Sequence, residues 1–314
     1  AAKGSSRMLG YTVRRILQMI PVVIGATFII FALTFLMPGD PVAALTGARP
    51  LPESTVAQIR LAYHLDDPFL VQYGNYMLGL IQGNFGIDFF GRPILGLILE
   101  RLPTTFALAM TAWVLKLAIG LAIGVYGGLR HGRAGDHFAL VFTVIFLGIP
   151  GFVIALGAQT VFGVQLGWVD PAGIRAGWPM AFILPALVMA VEASAGLARL
   201  TRTSLVDVLR AEYLRTARAK GLSPNRVIWG HALRNAMIPV VTYLGLSLAG
   251  MLGGAVLIEA IFNIPGIGGL MVTAINNKEG TVVVGIATML VLVYLVFNLL
   301  VDLLYGIIDP RVRI

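Results

Sequence analysis

Long apolar runs alternate with polar connections along most of this 314-residue sequence. A helix that crosses a hydrocarbon core of about 30 Å needs roughly 20 apolar residues, and six runs meet that requirement. They cover residues 16–37, 105–128, 138–166, 180–198, 236–262 and 282–305. The pattern therefore predicts an all-α polytopic membrane protein with six transmembrane helices.

The composition agrees with a membrane protein and argues against several other classes. Hydrophobic residues make up 58% of the chain and charged residues only 12%, whereas about a quarter of a soluble domain is charged. The net charge of +8 does not indicate nucleic-acid binding here, because Lys and Arg in a membrane protein first mark the cytoplasmic loops. Without any cysteine, disulfides and thiol chemistry are excluded.

Basic residues lie mainly on one side of the predicted membrane. Sixteen of the 23 Lys and Arg residues fall at the N-terminus, in the second and fourth connections and in the C-terminal tail. The third and fifth connections carry one basic residue each, and the four Arg of the first connection are outnumbered by six acids. Because cytoplasmic loops retain the basic residues, both termini and the fourth connection are predicted to be cytoplasmic.

The first connection, residues 38–104, is far longer than a typical loop, so we expect it to have structure or a function of its own. Pro52, Glu53 and Ser54 favour a helix start, and the apolar spacing that follows predicts a helix over 52–65. A second helix is predicted over 68–81. This long extracytoplasmic loop is either a lid over the bundle or a docking surface.

Two ionisable residues and three glycine pairs stand out within the predicted spans. Lys116 is midway along the second span, and Glu192 is two-thirds along the fourth. Since a charge at the bilayer centre costs a few kcal/mol, either the two pair across the bundle or one faces a substrate path. Helices can approach closely at pairs of glycines four residues apart. These pairs are Gly120 with Gly124, Gly124 with Gly128, and Gly250 with Gly254.

Motifs for catalysis are absent from the sequence. None of the four Lys follows a Gly as in a phosphate-binding loop, and neither H-E-x-x-H nor G-x-S-x-G occurs. We therefore expect no catalytic residues, no metal site and no cofactor in this chain.

The stretch AEYLRTARAKGLSPNRVIWGHALRN, residues 211–235, is strongly basic. Residues 203–220 favour a helix. Gly221 is expected to end it, because helices commonly end at a glycine in the left-handed conformation. Ser223 and Pro224 favour the start of a second helix that continues to Asn235. This helical elbow, apolar on one side and basic on the other, suits either a groove on a soluble protein or anionic membrane lipid.

Within that stretch, RTARAKGL followed by HALRNAMIP resembles a loop of permease subunits in bacterial ABC importers, in the branch that imports dipeptides and oligopeptides. The general pattern of that loop is E-A-A-x-x-x-G-x9-I-x-L-P. Gly221 and Ala217 match its glycine and second alanine, whereas Arg215 and Thr216 replace its Glu and first Ala. The first span ending in MPGDP, EAIFNIPGIGGL (259–270) and NLLVDLLYGIIDPRVR (298–313) resemble the same family. The resemblance covers nearly all of residues 8–314.

This resemblance implies the type I ABC importer permease fold, in which the elbow is a coupling helix seated on an ATPase subunit. The chain would then form half of a path for di- or oligopeptides across the bacterial plasma membrane, and would not itself be an enzyme. The implied partners are a second homologous permease of the dipeptide type, two cytosolic ATPase subunits that hold ATP and Mg, and an extracytoplasmic peptide-binding protein. The residues implied in coupling are Glu212, Arg215, Ala217, Arg218, Lys220, Gly221 and Arg226.

The expected organisation has four parts. Residues 1–7 lack an initiating Met and are expected to be an engineered remnant. The first span and the long loop are expected over residues 8–101. The permease core, with the coupling loop 203–236, is expected over residues 102–306, and a cytoplasmic tail over 307–314. Related permeases import nickel or glutathione, which are alternative substrates. The alternative of another class is a stand-alone secondary transporter, which would have broken helices and ion ligands at the membrane midplane.

Overall fold

The computed structural model describes residues 2–35, positions 52, 54, 56, 57 and 60, and residues 66–308, without the side chains of 2–9, 11 and 304–308. Apart from one β-bridge between Ile87 and Pro93, the regular structure of these residues is helical. The helices are α1 (Ala2–Phe35), α2 (Phe69–Ile81), α3 (Ile94–Leu129), α4 (Ala134–Gly148), α5 (Gly151–Ala158), α6 (Met180–Leu209), α7 (Glu212–Ala219), α8 (Leu233–Ile261), α9 (Ile267–Asn276) and α10 (Gly280–Ile308). The MPGDP segment, most of the helix predicted over 52–65, and the end of the tail lie outside the described residues.

Five helical segments in the described residues are long and apolar enough to cross a membrane. They are Thr12–Phe35, Ile94–Leu129, Met180–Leu209, Arg226–Ile261 and Gly280–Leu303. These segments coincide with the predicted first, second, fourth, fifth and sixth spans. The all-α polytopic fold is therefore confirmed.

The third predicted span, residues 138–166, is not one straight helix. α4 ends at Gly148 and α5 begins at Gly151, and the two helices are bent by 95°. Pro150 accounts for the break because a proline disfavours helical backbone at the residue before it, and Ile149 is extended with φ −98° and ψ 123°. Six spans result only if the bent pair, Ala134–Gly148 with Gly151–Gln165, counts as one.

One compact unit consists of Ala1–Thr105 and Pro265–Ile314, in which α1 packs along α10. Rings of α1 and α2 meet at centroid distances of 5.3–5.7 Å. The Tyr76 hydroxyl of α2 donates a hydrogen bond to Thr288 Oγ1 of α10 at 2.7 Å. Burial raises the pKa of Tyr76 to about 12. The helix predicted over 68–81 is thus confirmed, and it is held against two spans.

The other compact unit, Phe106–Ile264, contains most of α3 and all of α4 to α8. α3 and α6 approach closely along a row of glycines. A Cβ added at Gly124 would lie 2.6 Å from Thr201 Cβ and 2.7 Å from the Ala198 carbonyl oxygen. Additions at Gly120 and Gly128 would similarly meet side chains of α6. The first two predicted glycine pairs therefore lie at a helix–helix contact, whereas a Cβ at Gly250 or Gly254 would meet no described atom within 4 Å.

Candidate functional site

The basic segment forms an elbow with two corners rather than the single corner expected. α6 continues to Leu209, the chain then turns at Arg210 and Ala211, and α7 follows as a separate helix. The prediction of one helix over 203–220 is wrong at this turn, which contains neither Gly nor Pro. Ala211 is extended there (φ −68°, ψ 140°), so the helical hydrogen bonding is interrupted.

The second corner lies at Gly221, as the sequence predicts. Gly221 has φ +80°, a left-handed conformation that costs other residues roughly 1–2 kcal/mol. Helical structure resumes at Pro224, and the Val227 N–H donates to the Ser223 carbonyl oxygen at 3.0 Å. The helix predicted to stop at Asn235 instead continues without interruption through a π-helical segment, Arg226–Ala232, into α8. The second half of the elbow is therefore the start of the fifth span.

A small apolar cluster holds α7 against the rest of this unit. Its buried members are Leu205, Leu214, Val227, Ala232 and Ala236, which we call the elbow cluster. Leu214, with 0% of its surface exposed, is the buried residue of α7. Ala217 and Leu222 are partly buried and pack against the same cluster. Sequence reasoning missed Leu214, although its spacing of three residues from Ala217 is a helical apolar signal.

The opposite face of α7 is solvent-exposed and carries three of the seven predicted coupling residues, Glu212, Arg215 and Arg218. Glu212 and Arg215 form an ion pair of 3.0 Å with side chains 81% and 75% exposed. Such an exposed pair contributes about 0–1 kcal/mol, so it orients the side chains more than it stabilises the helix. Exposed basic residues continue along the elbow at Arg218, Lys220 and Arg226.

Polar contacts fix the elbow to the neighbouring spans. The Asn235 amide donates to the Tyr213 hydroxyl oxygen at 2.9 Å, which joins α8 to α7. The Ser204 hydroxyl of α6 donates to the Ala236 carbonyl oxygen at 2.8 Å. α6, α7 and α8 therefore meet in one connected corner.

A charged cluster that the sequence did not reveal lies where α4 begins. Asp136 is buried and forms an ion pair with Arg202 of α6. Its other carboxylate oxygen accepts the Gly132 N–H at 2.8 Å and lies 3.0 Å from His131 Nδ1. Arg210, at the first corner of the elbow, has Nη2 3.1 Å from His131 Nε2. The loop before α4 is thus linked by polar groups to both α6 and the elbow.

We expect Asp136→Ala to destabilise this unit, because Arg202 would keep its charge in a largely buried position without its carboxylate. Removing one partner of a buried pair costs about 3 kcal/mol, which predicts a fall in Tm of about 5 °C or more for the purified protein. Asp207→Ala, which changes an exposed acid of α6, is the matched control. Equal Tm values for the two variants would contradict a stabilising role for the cluster.

A cleft of about 680 Å³ lies within the same unit and brings together Lys116 and Glu192, the two ionisable residues that the sequence singles out. Lys116 of α3, Glu192 of α6 and Tyr243 of α8 all line it. No ion pair joins Lys116 to Glu192 among the residues that the structure describes. The Lys116 ammonium lies 4.7 Å from the centroid of the Tyr243 ring. Sequence reasoning missed Tyr243, because an aromatic residue in an apolar span carries no distinguishing signal.

The described residues thus form a polytopic helical membrane protein with a broken span, a cleft and an elbow whose α7 is largely exposed. Residues 118–314 match the family of binding-protein-dependent transport system inner membrane components, and residues 8–109 match the N-terminal region of such components. The chain belongs to this family of ABC transporter permeases. It is therefore a multi-pass inner membrane protein and the membrane component of a binding-protein-dependent transport system, which argues against a stand-alone carrier.

Similar proteins match nearly the whole chain. A probable peptide ABC transporter permease protein, y4tP of Sinorhizobium fredii, is 38% identical over 96% of this chain and 99% of its own length. The glutathione transport system permease GsiC of Salmonella typhimurium is 35% identical over 98% of this chain and 99% of its own length. The oligopeptide transport system permease OppB of Haemophilus influenzae is 34% identical over 98% of this chain and 100% of its own length.

Solved structures support the fold. A chain from the crystal structure of an amino acid ABC transporter with histidines has a TM-score of 0.56 at 17% identity, covering 68% of this chain and 95% of that one. A chain of the MetNI methionine ABC transporter in an inward-facing conformation has a TM-score of 0.52 at 17% identity. The match covers 67% of this chain and 96% of that one. The type I ABC importer permease fold is thereby confirmed.

Proposed function

We propose that this chain forms half of the translocation path of a peptide importer. Relatives at 34–38% identity include a probable peptide permease and an oligopeptide permease, each matched over nearly its whole length. Glutathione is the second candidate substrate because GsiC is similarly close, at 35% identity. Glutathione is itself a small peptide, so both candidates require a path for the same chemical class.

The partners follow from the type of system. A second homologous permease of the dipeptide type completes the path, two cytosolic ATPase subunits bind ATP and Mg, and an extracytoplasmic protein delivers the peptide. Both termini and the elbow face the cytosol, as the distribution of basic residues indicates. ATP hydrolysis takes place on the ATPase subunits and not on this chain.

The elbow is the element that receives the ATPase. α7 presents a charged, exposed face to the cytosol while Leu214 anchors its other face in the elbow cluster. A short helix anchored on one side suits a groove on a partner protein. The residues assigned to this coupling are Glu212, Arg215, Ala217, Arg218, Lys220, Gly221 and Arg226.

One observation supports coupling between the elbow and the path. α6 is a single helix that lines the cleft with Met189 and Glu192 and supplies Leu205 to the elbow cluster. When the ATPases close on ATP and carry α7 with them, α6 transmits that movement to the cleft. This is alternating access by rigid movement of packed helices.

The test is a double charge reversal, Arg218→Glu with Lys220→Glu, in the complete transporter reconstituted in proteoliposomes. We expect co-purification of the ATPase subunits to fall at least tenfold, which needs a loss of only about 1.4 kcal/mol across two exposed contacts. ATP-dependent peptide uptake should fall in parallel.

Arg175→Glu is the matched control, because Arg175 is an exposed arginine in a connection predicted to be extracytoplasmic. This variant should bind the ATPase normally. Unchanged ATPase binding by the double variant would contradict the assignment of α7 as the docking element.

A further inference from the structure

The cleft contains charged side chains in an otherwise largely apolar lining. Lys116 is 1% exposed, and the contacts of the described residues include no hydrogen bond or ion pair to it. An ammonium group inside a membrane span is costly unless an anion or water compensates it. The Tyr243 ring, 4.7 Å away, offers partial compensation through its negative face. Lys116 therefore retains the capacity to bind an anion that enters the cleft.

Glu192 supplies the opposite charge in the same cleft. Its carboxylate lies against Gly151, the first residue of α5, where an added Cβ would collide with it. The break at Pro150 thus turns the start of a helix towards this carboxylate, and a helix N-terminus favours negative charge. Glu192 is only partly buried and lines the cleft, so its carboxylate remains accessible to a cation.

Glycines create the space that these polar groups occupy. A Cβ at Gly196 would lie 2.7 Å from the Tyr243 hydroxyl, so glycine there allows the ring to lie beneath Lys116. Gly151 makes the equivalent space for Glu192. Gly250 and Gly254 also line the cleft and add no side chain to it. The volume of about 680 Å³ is within the range of small-molecule sites, roughly 300–1,000 Å³.

We propose that the cleft recognises peptides as zwitterions, with Lys116 binding the substrate's terminal carboxylate and Glu192 binding its terminal ammonium. This inference rests on the proposed function and names the chemistry by which the path selects its substrate. Lys116 and Glu192 line one cleft without forming an ion pair with each other, so each charge is available to one end of a short peptide. Glutathione also carries an ammonium group and a C-terminal carboxylate, together with a second carboxylate on its glutamyl residue.

The experiment compares Lys116→Gln with the wild-type chain in the complete reconstituted transporter. Uptake is measured for one dipeptide in three forms: free, amidated at the C-terminus, and acetylated at the N-terminus. Each form is supplied at a concentration that saturates the isolated binding protein. The ratio of variant to wild-type uptake for each form then isolates the contribution of this chain.

For Lys116→Gln we expect uptake of the free and the acetylated dipeptide to fall about tenfold or more, because a charge-assisted hydrogen bond to their carboxylate is lost. The amidated dipeptide should change less than about twofold, since it offers no carboxylate to lose. Lys116→Arg should restore a preference for the free carboxylate. Glu192→Gln should give the mirror result, with the acetylated dipeptide insensitive to the change.

One control variant and two contrary outcomes make the experiment decisive. Leu246→Met changes a neutral residue of the cleft wall and should affect the three forms equally. Equal losses for all forms in Lys116→Gln, or a failure of that variant to accumulate in the membrane, would overturn the proposal, because Lys116 would then serve the fold. If the wild-type transporter imports none of the three forms, the peptide function itself fails.

Discussion

Gly124→Leu is expected to prevent accumulation of folded protein in the membrane. A Cβ at this position would lie 2.7 Å from the Ala198 carbonyl oxygen, which belongs to the backbone of α6 and cannot rotate away. Overpacking costs typically about 1–3 kcal/mol for a few added methylenes, and here α3 and α6 would have to separate along their length. The measurement is the amount of monodisperse protein after solubilisation, together with its Tm.

Gly25→Leu is the matched control for this prediction, because a Cβ at Gly25 of α1 meets no described atom within 4 Å. The control variant should accumulate as the wild-type protein does. If Gly124→Leu accumulates equally and unfolds at the same temperature, the close contact between α3 and α6 does not hold the unit together.

Gly221→Leu is expected to reduce peptide uptake about tenfold while ATP hydrolysis continues, so that the two activities become uncoupled. The reason is conformational and not steric. Gly221 has φ +80°, and a Cβ there would meet no described atom within 4 Å. The strain of roughly 1–2 kcal/mol is relieved if the turn changes shape, which would displace α7 from the position in which we propose that it contacts the ATPase.

Gly221→Asn separates this explanation from a loss of space. Asn adopts the left-handed conformation more readily than Leu, so this variant should keep most of the uptake. Uptake and ATP hydrolysis measured on the same proteoliposomes give the coupling ratio directly. An Asn variant as defective as the Leu variant would contradict the conformational explanation.

The sequence predicts the spans well because apolar runs long enough for a membrane have few other structural solutions. It did not predict the break in the third span. Pro21, Pro103, Pro185 and Pro239 all lie inside continuous helices, whereas Pro150 separates two. Gly148 and Gly151, on either side of the break, weaken the helix further. Because these four prolines leave their helices continuous, the presence of a proline does not by itself predict where a span bends.

The elbow was predictable where local chemistry determines it. Gly221 and Pro224 mark the second corner because their backbone preferences are strong. The first corner, at Arg210 and Ala211, has no such marker. It allows Leu214 to turn into the elbow cluster, which is a tertiary contact.

The charged site was predicted only in part. Lys116 and Glu192 were identifiable because charges in spans are rare. Their placement in one cleft depends on how α3 and α6 pack, and so does the proximity of Tyr243 to Lys116. Asp136 and Arg202 escaped notice because charges near the ends of spans are common.

α6 has 30 residues and is therefore about 45 Å long, well beyond a hydrocarbon core of about 30 Å. Glu192 in the cleft and Leu205 in the elbow cluster are about 20 Å apart along its axis. A rigid rotation of about 10° around the Glu192 end would move the elbow end by about 3.5 Å. Under the proposed coupling, α6 acts as a lever, and the stiffness of this one helix, rather than a series of separate contacts, would set how much of an ATPase movement reaches the cleft.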